Sequence, residues 1–192
     1  MKKFFLGGLL FSLLIFSGCA LKKDLSSTVS NESPAVNNES RVVVKDSFSL
    51  EAPANWQEIP SMPGVSLMMV NSTETSERPE VKKINFKSYF SISYATLKEK
   101  TLTEYTAGLK DQLTRMVSGI SFQDLEPIVI NGRPANVFSA DLNQQGVDFK
   151  LLMFVAEGTN KDVWMISFNT LAENLSGYQD LFYQVAESFK VK

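Results

Sequence analysis

The residue types that could support catalytic chemistry are limited by one absence: the sequence contains no histidine. The chain therefore lacks the commonest general base and the commonest transition-metal ligand, which excludes histidine-bound zinc and Ser-His-Asp catalysis. A glycine-rich phosphate loop, a nucleophile elbow and EF-hand spacing are also absent from the sequence. The sequence does not exclude a catalytic Ser-Lys pair or carboxylate pair, because the two members of such a pair can be distant in sequence and close in the fold. Chance alone brings such residues together often, so we expect a protein that is not an enzyme.

Two pairs of carboxylates are candidates for a divalent cation site: Asp124 with Glu126, and Asp141 with Asp148. Calcium needs six or more oxygen ligands, whereas turns and strand ends commonly carry solvated carboxylates. We therefore expect both pairs to be solvated, and we predict no metal and no other cofactor. Arg133 could contact a partner beside a predicted turn, but a solvated arginine is the simpler expectation.

The only cysteine, Cys19, follows a short apolar run, Phe4 to Phe16, which two lysines precede. Such a run is typical of a signal peptide and is too short to span a bilayer comfortably. Together with Ser17 and Gly18 it resembles the bacterial lipobox, although Phe16 replaces the usual leucine. The resemblance implies cleavage after residue 18 and a lipid, with acyl chains such as palmitate, on the Cys19 sulfur. The alternatives are a plain secretory signal cut near Cys19 or Ala20, and an uncleaved anchor.

The processed chain is mildly acidic. Cleavage removes two of the 19 basic residues and none of the 21 acidic ones, which changes the net charge from -2 to -4. We therefore predict no nucleic-acid partner and no electrostatic docking to anionic lipid. We expect the membrane contact to be the lipid anchor, because each buried methylene contributes about 0.8 kcal/mol. This places the protein in a bacterial cell envelope, with its folded part facing the periplasm or the exterior.

The chain divides into three parts. Residues 1–18 form the predicted signal peptide, and residues 19–40 are rich in Ser, Asn, Glu and Lys without apolar periodicity. We interpret the second part as a lipidated flexible tether with a span on the order of 25 Å. Residues 41–192 are the predicted domain, which is long enough to bury a core without disulfides.

Apolar alternation and continuous apolar runs predict the strands of the domain. They are Phe48 to Pro53, Val65 to Val70, Tyr89 to Ala95, Leu125 to Ile130, Ala135 to Leu142, Val147 to Ala156 and Val163 to Phe168. Helical spacing predicts helices from about Leu102 to Ser118 and from Leu175 to Phe189, the first opened by a capping box at Thr101. Asn131 and Gly132 predict a two-residue hairpin turn. The last two strands are apolar on both faces, so we expect helices on both sides of the sheet.

Aromatic residues could line a ligand pocket, but at this spacing they are more typical of a core. We expect Trp56 and Trp164 to be buried, because burial of each contributes several times RT. Tyr89 and Tyr94 are expected on opposite faces of one strand.

Ser72 to Lys87 is a long polar excursion with an acidic and then a basic segment around Pro79. Its first part, Ser72 to Glu80, is predicted to be a loop, and Phe86 is a possible apolar anchor. Loops of this length are either solvated or functional. Our hypothesis is that the excursion recognises a partner, and that shortening Ser72 to Glu80 has little effect on stability.

The predicted elements give an α+β fold in which an antiparallel β-sheet is sandwiched between helices. Several segments resemble the PsbP-like family: Phe48 to Trp56, the Asn131 to Ala135 turn, the Val163 to Phe168 strand and the terminal Ser188-Phe189. The resemblance spans most of residues 41–192. It implies the α/β/α sandwich shared with the photosystem II extrinsic subunit, DcrB-like bacterial lipoproteins and a Ran-binding nuclear import factor. These relatives are mostly binding and assembly proteins, so it also implies a role of that kind.

Three functions follow from these observations. The leading one is a lipid-anchored binding or assembly module, without catalysis, whose partner is an envelope protein. The second is a lipoprotein that binds a small ligand, which a large internal cavity would favour. The third is a histidine-free hydrolase, which a cleft containing a buried serine or carboxylate paired with a lysine would favour.

Overall fold

A computed structural model describes residues 39–123 and 125–192. The predicted signal peptide, Cys19 and most of the predicted tether lie outside the described residues, and so does Asp124. The strands are β1 (Ser40–Val44), β2 (Phe48–Pro53), β3 (Trp56–Glu58), β4 (Val65–Asn71), β5 (Tyr89–Thr96), β6 (Ser121–Phe122), β7 (Glu126–Ile130), β8 (Arg133–Gln144), β9 (Val147–Glu157), β10 (Asp162–Leu171) and β11 (Lys190–Val191). The helices are α1 (Pro79–Ile84), α2 (Leu102–Met116) and α3 (Leu175–Glu187), with a short 3-10 helix, Ala172–Asn174, before α3.

The described strands form two antiparallel sheets. The main sheet has the order β3-β4-β5-β10-β9-β8-β6, and β7 also pairs with β8. Its centre forms where β10 pairs with β5 on one side and with β9 on the other. The small sheet has the order β1-β2-β11, so it joins the two ends of the described chain. The predicted antiparallel sheet is confirmed, whereas the small sheet is an addition that the sequence did not indicate.

Tight turns set the register of the meander from β7 to β10. Asn131 and Gly132 have φ angles of 47° and 76°, so they form the predicted two-residue turn between β7 and β8. Gln145 and Gly146 make a similar turn between β8 and β9, with φ angles of 53° and 79°. Asparagine and glycine reach the left-handed region at the least steric cost, which explains why the first turn could be predicted.

Helix α2 begins and ends close to its predicted limits. The Thr101 hydroxyl accepts a hydrogen bond from the Glu104 amide at 3.2 Å, while the Glu104 carboxylate accepts one from the Thr101 amide at 2.8 Å. This reciprocal capping box satisfies donors that the first helical turn leaves open. Leu109 and Leu113 follow at helical spacing and are buried against the sheet.

A core lies on each face of the main sheet. One core packs α3 and the small sheet on residues such as Phe154, Ile166 and Phe168. The other packs α2 and α1 on residues such as Met153 and Met165. The sheet is therefore sandwiched between helices as predicted, and the small sheet shares the first face with α3. No helix in the described residues has the length and apolar character needed to cross a membrane.

Candidate functional site

The excursion from Ser72 to Lys87, named segment 72–87 from here on, is packed against the domain. The loop prediction is wrong at its end, because α1 starts at Pro79, a residue that suits the first position of a helix. Val81 is buried in the α2 side of the core, and the Phe86 ring lies 4.8 Å from that of Phe149. A six-residue helix is too short to produce the apolar periodicity from which helices are predicted.

Glu74 fixes the first part of this segment from the inside. It is only 6 % exposed, and its carboxylate accepts hydrogen bonds from the Ser88 amide, from the Ser88 hydroxyl at 2.9 Å and from Asn174 Nδ2 at 2.8 Å. The Ser88 hydroxyl also lies 2.7 Å from that of Thr170. This carboxylate thus joins segment 72–87 to the start of β5 and the start of α3, and Ser88 extends the network to the end of β10.

A second set of buried polar contacts adjoins this carboxylate. Asn71 Nδ2 donates to the Tyr178 hydroxyl at 2.8 Å, and Asn71 Oδ1 accepts from the Thr73 hydroxyl at 2.8 Å. Burial, followed by the charge of Glu74, raises the pKa of Tyr178 to about 12. The phenol is therefore neutral near pH 7 and acts as a hydrogen-bonding group of the core.

The buried polar residues Glu74, Ser88 and Thr170, with Asn174, form a group that we name the Glu74 cluster. It does not have the geometry of a serine catalyst. Ser88 is 0 % exposed, and its hydroxyl contacts Glu74 and Thr170. The neighbouring Lys87 ammonium donates to the Ser72 carbonyl. A nucleophile without exposed surface cannot meet a substrate, so the cluster can hold segment 72–87 in place but cannot transfer an acyl group in this conformation.

Segment 72–87 and β4 form walls of an open groove, which we name the α1 groove. Its volume is about 210 Å³. The lining residues are Ile59, Met68, Val70, Ile84, Asn85, Phe86, Lys87 and Tyr89. Most of this lining is apolar, and burial raises the pKa of Tyr89, so its phenol adds no charge. The groove can accept an apolar group of about the size of one or two side chains.

A second groove, of about 280 Å³ and with charged residues in its walls, adjoins the α1 groove and shares Asn85, Phe86 and Lys87 with it. Its other walls include the ion pair between Lys82 Nζ and the Glu77 carboxylate, with 2.7 Å between the atoms. Segment 72–87 therefore presents apolar and charged surfaces side by side. This combination is typical of protein-binding sites, which have an apolar centre and a polar rim.

A third groove of about 270 Å³ lies between α3 and β8. Glu126, Ser139, Gln179 and Tyr183 are among its lining residues. Burial, followed by the charges of Glu126 and Glu187, raises the pKa of Tyr183. All three grooves are smaller than the roughly 300 to 1,000 Å³ of typical small-ligand pockets.

The carboxylates that were candidate metal ligands have other partners. The Asp141 carboxylate lies 2.5 Å from Lys150 Nζ, and the Asp148 carboxylate accepts from Asn143 Nδ2 at 2.7 Å. The other predicted pair includes Asp124, which lies outside the described residues. Within the described ranges, no group of three or more acidic, histidine or cysteine side chains could hold a metal ion.

Arg133 has a structural contact, contrary to the expectation of a solvated side chain. Its Nη1 donates to the Gly158 carbonyl at 2.8 Å and so joins the first residue of β8, next to the Asn131-Gly132 turn, to the turn after β9. The side chain is half-buried. This contact joins two turns that are adjacent in space and 25 residues apart in sequence, which no local pattern could indicate.

The aromatic residues lie where they were expected. Trp56 and Trp164 are 2 % and 4 % exposed, and both belong to the core on the α3 side. Tyr94 is 59 % exposed and packs against Trp164, with 5.3 Å between the ring centroids. Tyr89, on the opposite face of β5, lines the α1 groove.

Sequence reasoning predicted the strands that supply Met68, Val70 and Tyr89 to the α1 groove, but it missed the α1 wall because that helix has only six residues. The usable signal was local: Pro79 could start a helix, and Val81 and Ile84 lie three residues apart on one face of it. Burial of Glu74 had no signal, because its polar neighbours are those of any solvated turn.

The same fold occurs in solved structures of low sequence identity. Cyanobacterial PsbP (CyanoP) from Synechocystis sp. PCC 6803 is 17% identical with a TM-score of 0.59, over 80% of this chain and 92% of that chain. LpqN of Mycobacterium tuberculosis, described as involved in cell envelope biogenesis, is 12% identical with a TM-score of 0.57, over 80% and 91%. The Saccharomyces cerevisiae Ran-binding protein Mog1p is 11% identical with a TM-score of 0.56, over 80% and 95%.

These neighbours confirm the PsbP-like resemblance at the level of the fold. No protein-family model matches the sequence, and no curated protein matches it either. The neighbours differ from one another in function, so the function of this chain must be argued from its own surfaces.

Proposed function

We propose that this protein is a lipid-anchored binding or assembly module of a bacterial cell envelope, and that the α1 groove holds an apolar side chain of an envelope protein. The observation that carries the proposal is the groove itself, an apolar depression of about 210 Å³ next to a charged surface. The neighbours support an extracytoplasmic setting, since LpqN is described as involved in cell envelope biogenesis.

The contacts of Glu74 prepare this site for binding. Hydrogen bonds to Ser88 and Asn174 hold segment 72–87 on the domain before any partner arrives. A preformed site binds more tightly than a mobile loop, because little conformational entropy is lost on association. The partner-recognition hypothesis is therefore kept for this segment, with a rigid surface in place of a flexible loop.

The size of the groove favours a protein over a small ligand as the partner. About 210 Å³ accommodates an anchor side chain, whereas ligand pockets usually exceed roughly 300 Å³. The Lys82–Glu77 ion pair lines the adjoining groove and adds polar contacts beside such an anchor. Affinity at such interfaces comes mainly from one or two buried anchors inside a polar ring.

Site-specific photo-cross-linking tests the groove. A photoreactive amino acid replaces Asn85, which is exposed at the groove, in the full chain in its native membrane. We expect it to capture a defined envelope protein, identified by mass spectrometry. Adding Ile84→Glu places a charge in the groove and should reduce the capture at least tenfold.

The matched control for Ile84→Glu is Met116→Glu, which changes an exposed apolar residue on α2, 44 % exposed and outside the groove lining. It should leave the capture unchanged. If both substitutions act alike while both proteins keep their melting temperature, the α1 groove is not the binding site.

The anchor has a separate test. Cys19 is the only thiol in the chain, so Cys19→Ala should remove all incorporation of a clickable fatty acid and leave an unprocessed precursor. Cys19→Ser is the closest control in shape and should give the same result. Labelling that persists in either variant would refute the lipid anchor and leave the groove proposal untouched.

A further inference from the structure

Strand β1 presents an unusual edge. In the described chain it is the last strand of the small sheet, and its register with β2 runs without a shift from Ser40 to Val44. The Ala54 amide donates to the Glu39 carbonyl at 2.8 Å, which identifies Glu39 and Ala54 as a hydrogen-bonded pair. Because such pairs alternate along an antiparallel ladder, the backbone groups of Ser40, Val42 and Val44 point away from β2.

The side chains of the same edge are apolar and exposed. Val42 is 66 % exposed and Val44 is 62 % exposed, whereas Val43 between them is 6 % exposed and faces the core. The edge therefore combines unpaired backbone positions with two valines on one outer face. Strands of this composition pair readily with another strand.

Natural edge strands are usually protected by short length, proline, an inward charge or a bulge. The other edges of the described sheets follow this pattern. Strand β3 has three residues, β11 has two, and β7 carries Pro127. Strand β1 has five residues, a regular register and neither proline nor lysine, and its one charged residue, Arg41, donates to the Trp56 carbonyl of its own domain. A regular edge strand without these protections indicates that its outward backbone groups pair with another strand.

We infer that β1 pairs with the β1 of a second copy of this chain, antiparallel and centred on Val42. Residues whose backbone groups point outward must face each other across the new ladder. This register pairs Val42 with Val42 of the second copy and Ser40 with Val44 of the second copy. The two small sheets then form one continuous sheet, and the exposed valines of both copies meet on one face.

The composition of the chain favours a second copy over the other occupants. The predicted tether lacks apolar alternation, so it cannot match the valines of β1. The outward positions 40, 42 and 44 are evenly spaced about Val42, so an antiparallel second copy sets every outward position opposite another outward position. The twofold axis of such a pair stands perpendicular to the sheet, so both copies present the same face to one plane. Two copies held on one membrane can therefore pair.

The pairing is weak in solution and strong on a membrane. One five-residue strand pair forms few hydrogen bonds, but confinement to a surface raises the effective concentration. This gain rests on the proposed lipid anchor, whereas the register rests on β1 alone. The α1 groove lies outside the small sheet, so a partner bound in the groove does not compete with the pairing of β1.

Disulfide mapping in the full chain tests the register. Val42→Cys places two thiols on facing residues about 5.5 Å apart between Cα atoms, which suits a disulfide. We expect a dimer under mild oxidation in the membrane. Val44→Cys should give at least tenfold less, because four residues of strand separate the two thiols by about 13 Å. A mixture of Ser40→Cys and Val44→Cys chains should cross-link again.

Two controls complete the mapping. The unsubstituted chain shows whether Cys19 alone forms dimers, and Val129→Cys places a thiol on β7 at a valine that is 68 % exposed. Equal dimer yield from Val42→Cys, Val44→Cys and Val129→Cys would mean random collision and would overturn the inference. No dimer from Val42→Cys, or a link from it to a different protein, would overturn it too. These outcomes are independent of the Ile84→Glu test and therefore of the groove.

Discussion

At the scale of single residues, Trp164 shows how contacts between aromatic side chains distant in sequence stabilise the folded domain. Its ring centroid lies 5.3 Å from that of Phe48 in β2 and 5.4 Å from that of Phe189, which follows α3. The indole Nε1 has no hydrogen-bond partner within the described residues. Trp164 therefore stabilises the junction of both sheets through contact area alone.

Truncation of this side chain tests that role. Trp164→Ala should reduce the free energy of unfolding by about 3 to 5 kcal/mol, because a large cavity forms. Trp164→Phe should cost less, because it keeps a ring and loses no hydrogen bond. Urea denaturation measures both. An unchanged midpoint for Trp164→Ala would mean that the side chain is exposed in solution.

Local residue patterns were sufficient for some sites and insufficient for others. The turn at Asn131 and the cap at Thr101 were predicted because their geometry depends on neighbours in sequence. The Arg133 contact and the burial of Glu74 depend on residues 14 to 100 positions away. Polar residues in a polar context have no pattern that separates a buried network from a solvated turn.

At the scale of elements, the long strands were predicted and the short ones were not. Strands β8, β9 and β10 carry enough apolar residues for their pattern to be recognised. Strands β6 and β11 have two residues each, which is below any periodicity. Most of β1 falls within the predicted domain, but the sequence did not predict this strand, because only Val43 in it faces the core.

Segment 72–87 should be essential for stability, contrary to the expectation that its shortening has little effect. Glu74→Ala removes the acceptor of the Ser88 amide, the Ser88 hydroxyl and Asn174 Nδ2, and a buried donor left without an acceptor costs roughly 1 to 3 kcal/mol. Glu77→Ala is the matched control, since its exposed ion pair with Lys82 contributes less than about 1 kcal/mol. Thermal unfolding compares the two. Equal stability of both variants would mean that the segment is solvated.

The contact between α3 and β4 should make the protein sensitive to alkali. The folded pKa of Tyr178 is about 12, above its ordinary value of 10.0, so the folded state holds this proton more tightly. The corresponding stability is complete below pH 10 and is lost as pH rises from 10 to 12. Tyr178→Phe should therefore lose less stability over this interval, measured by urea denaturation at each pH. A parallel decline in both proteins would contradict the raised pKa.

At the scale of the whole molecule, both cores share one sheet. Strands β9 and β10 contribute alternate residues to the two sides, as Phe154 and Met153 do. Neither core can therefore form without the other, which predicts one cooperative unit. The sandwich was predicted because β9 and β10 are apolar on both faces, whereas the small sheet joins segments more than 140 residues apart.

The domain should fold without the lipid or a reductant. A chain from Glu39 to Lys192 keeps every described strand and contains no cysteine, so we expect a single calorimetric transition. Starting the chain at Lys45 removes β1 and with it the burial of Val43, so the melting temperature should fall. Two separate transitions for the longer chain would contradict a shared core.

The central strand pair of the main sheet has a consequence for the order of events in biogenesis. Strand β10 pairs with β5, and Asp162 faces Thr96, which lies 66 positions earlier in the chain. Contacts of such long sequence separation slow folding, because the loop must close before the ladder forms. The sheet therefore cannot be completed until β10 has been synthesised, late in the chain. We expect a nascent polypeptide that stays extended long enough for the export that its predicted signal peptide implies.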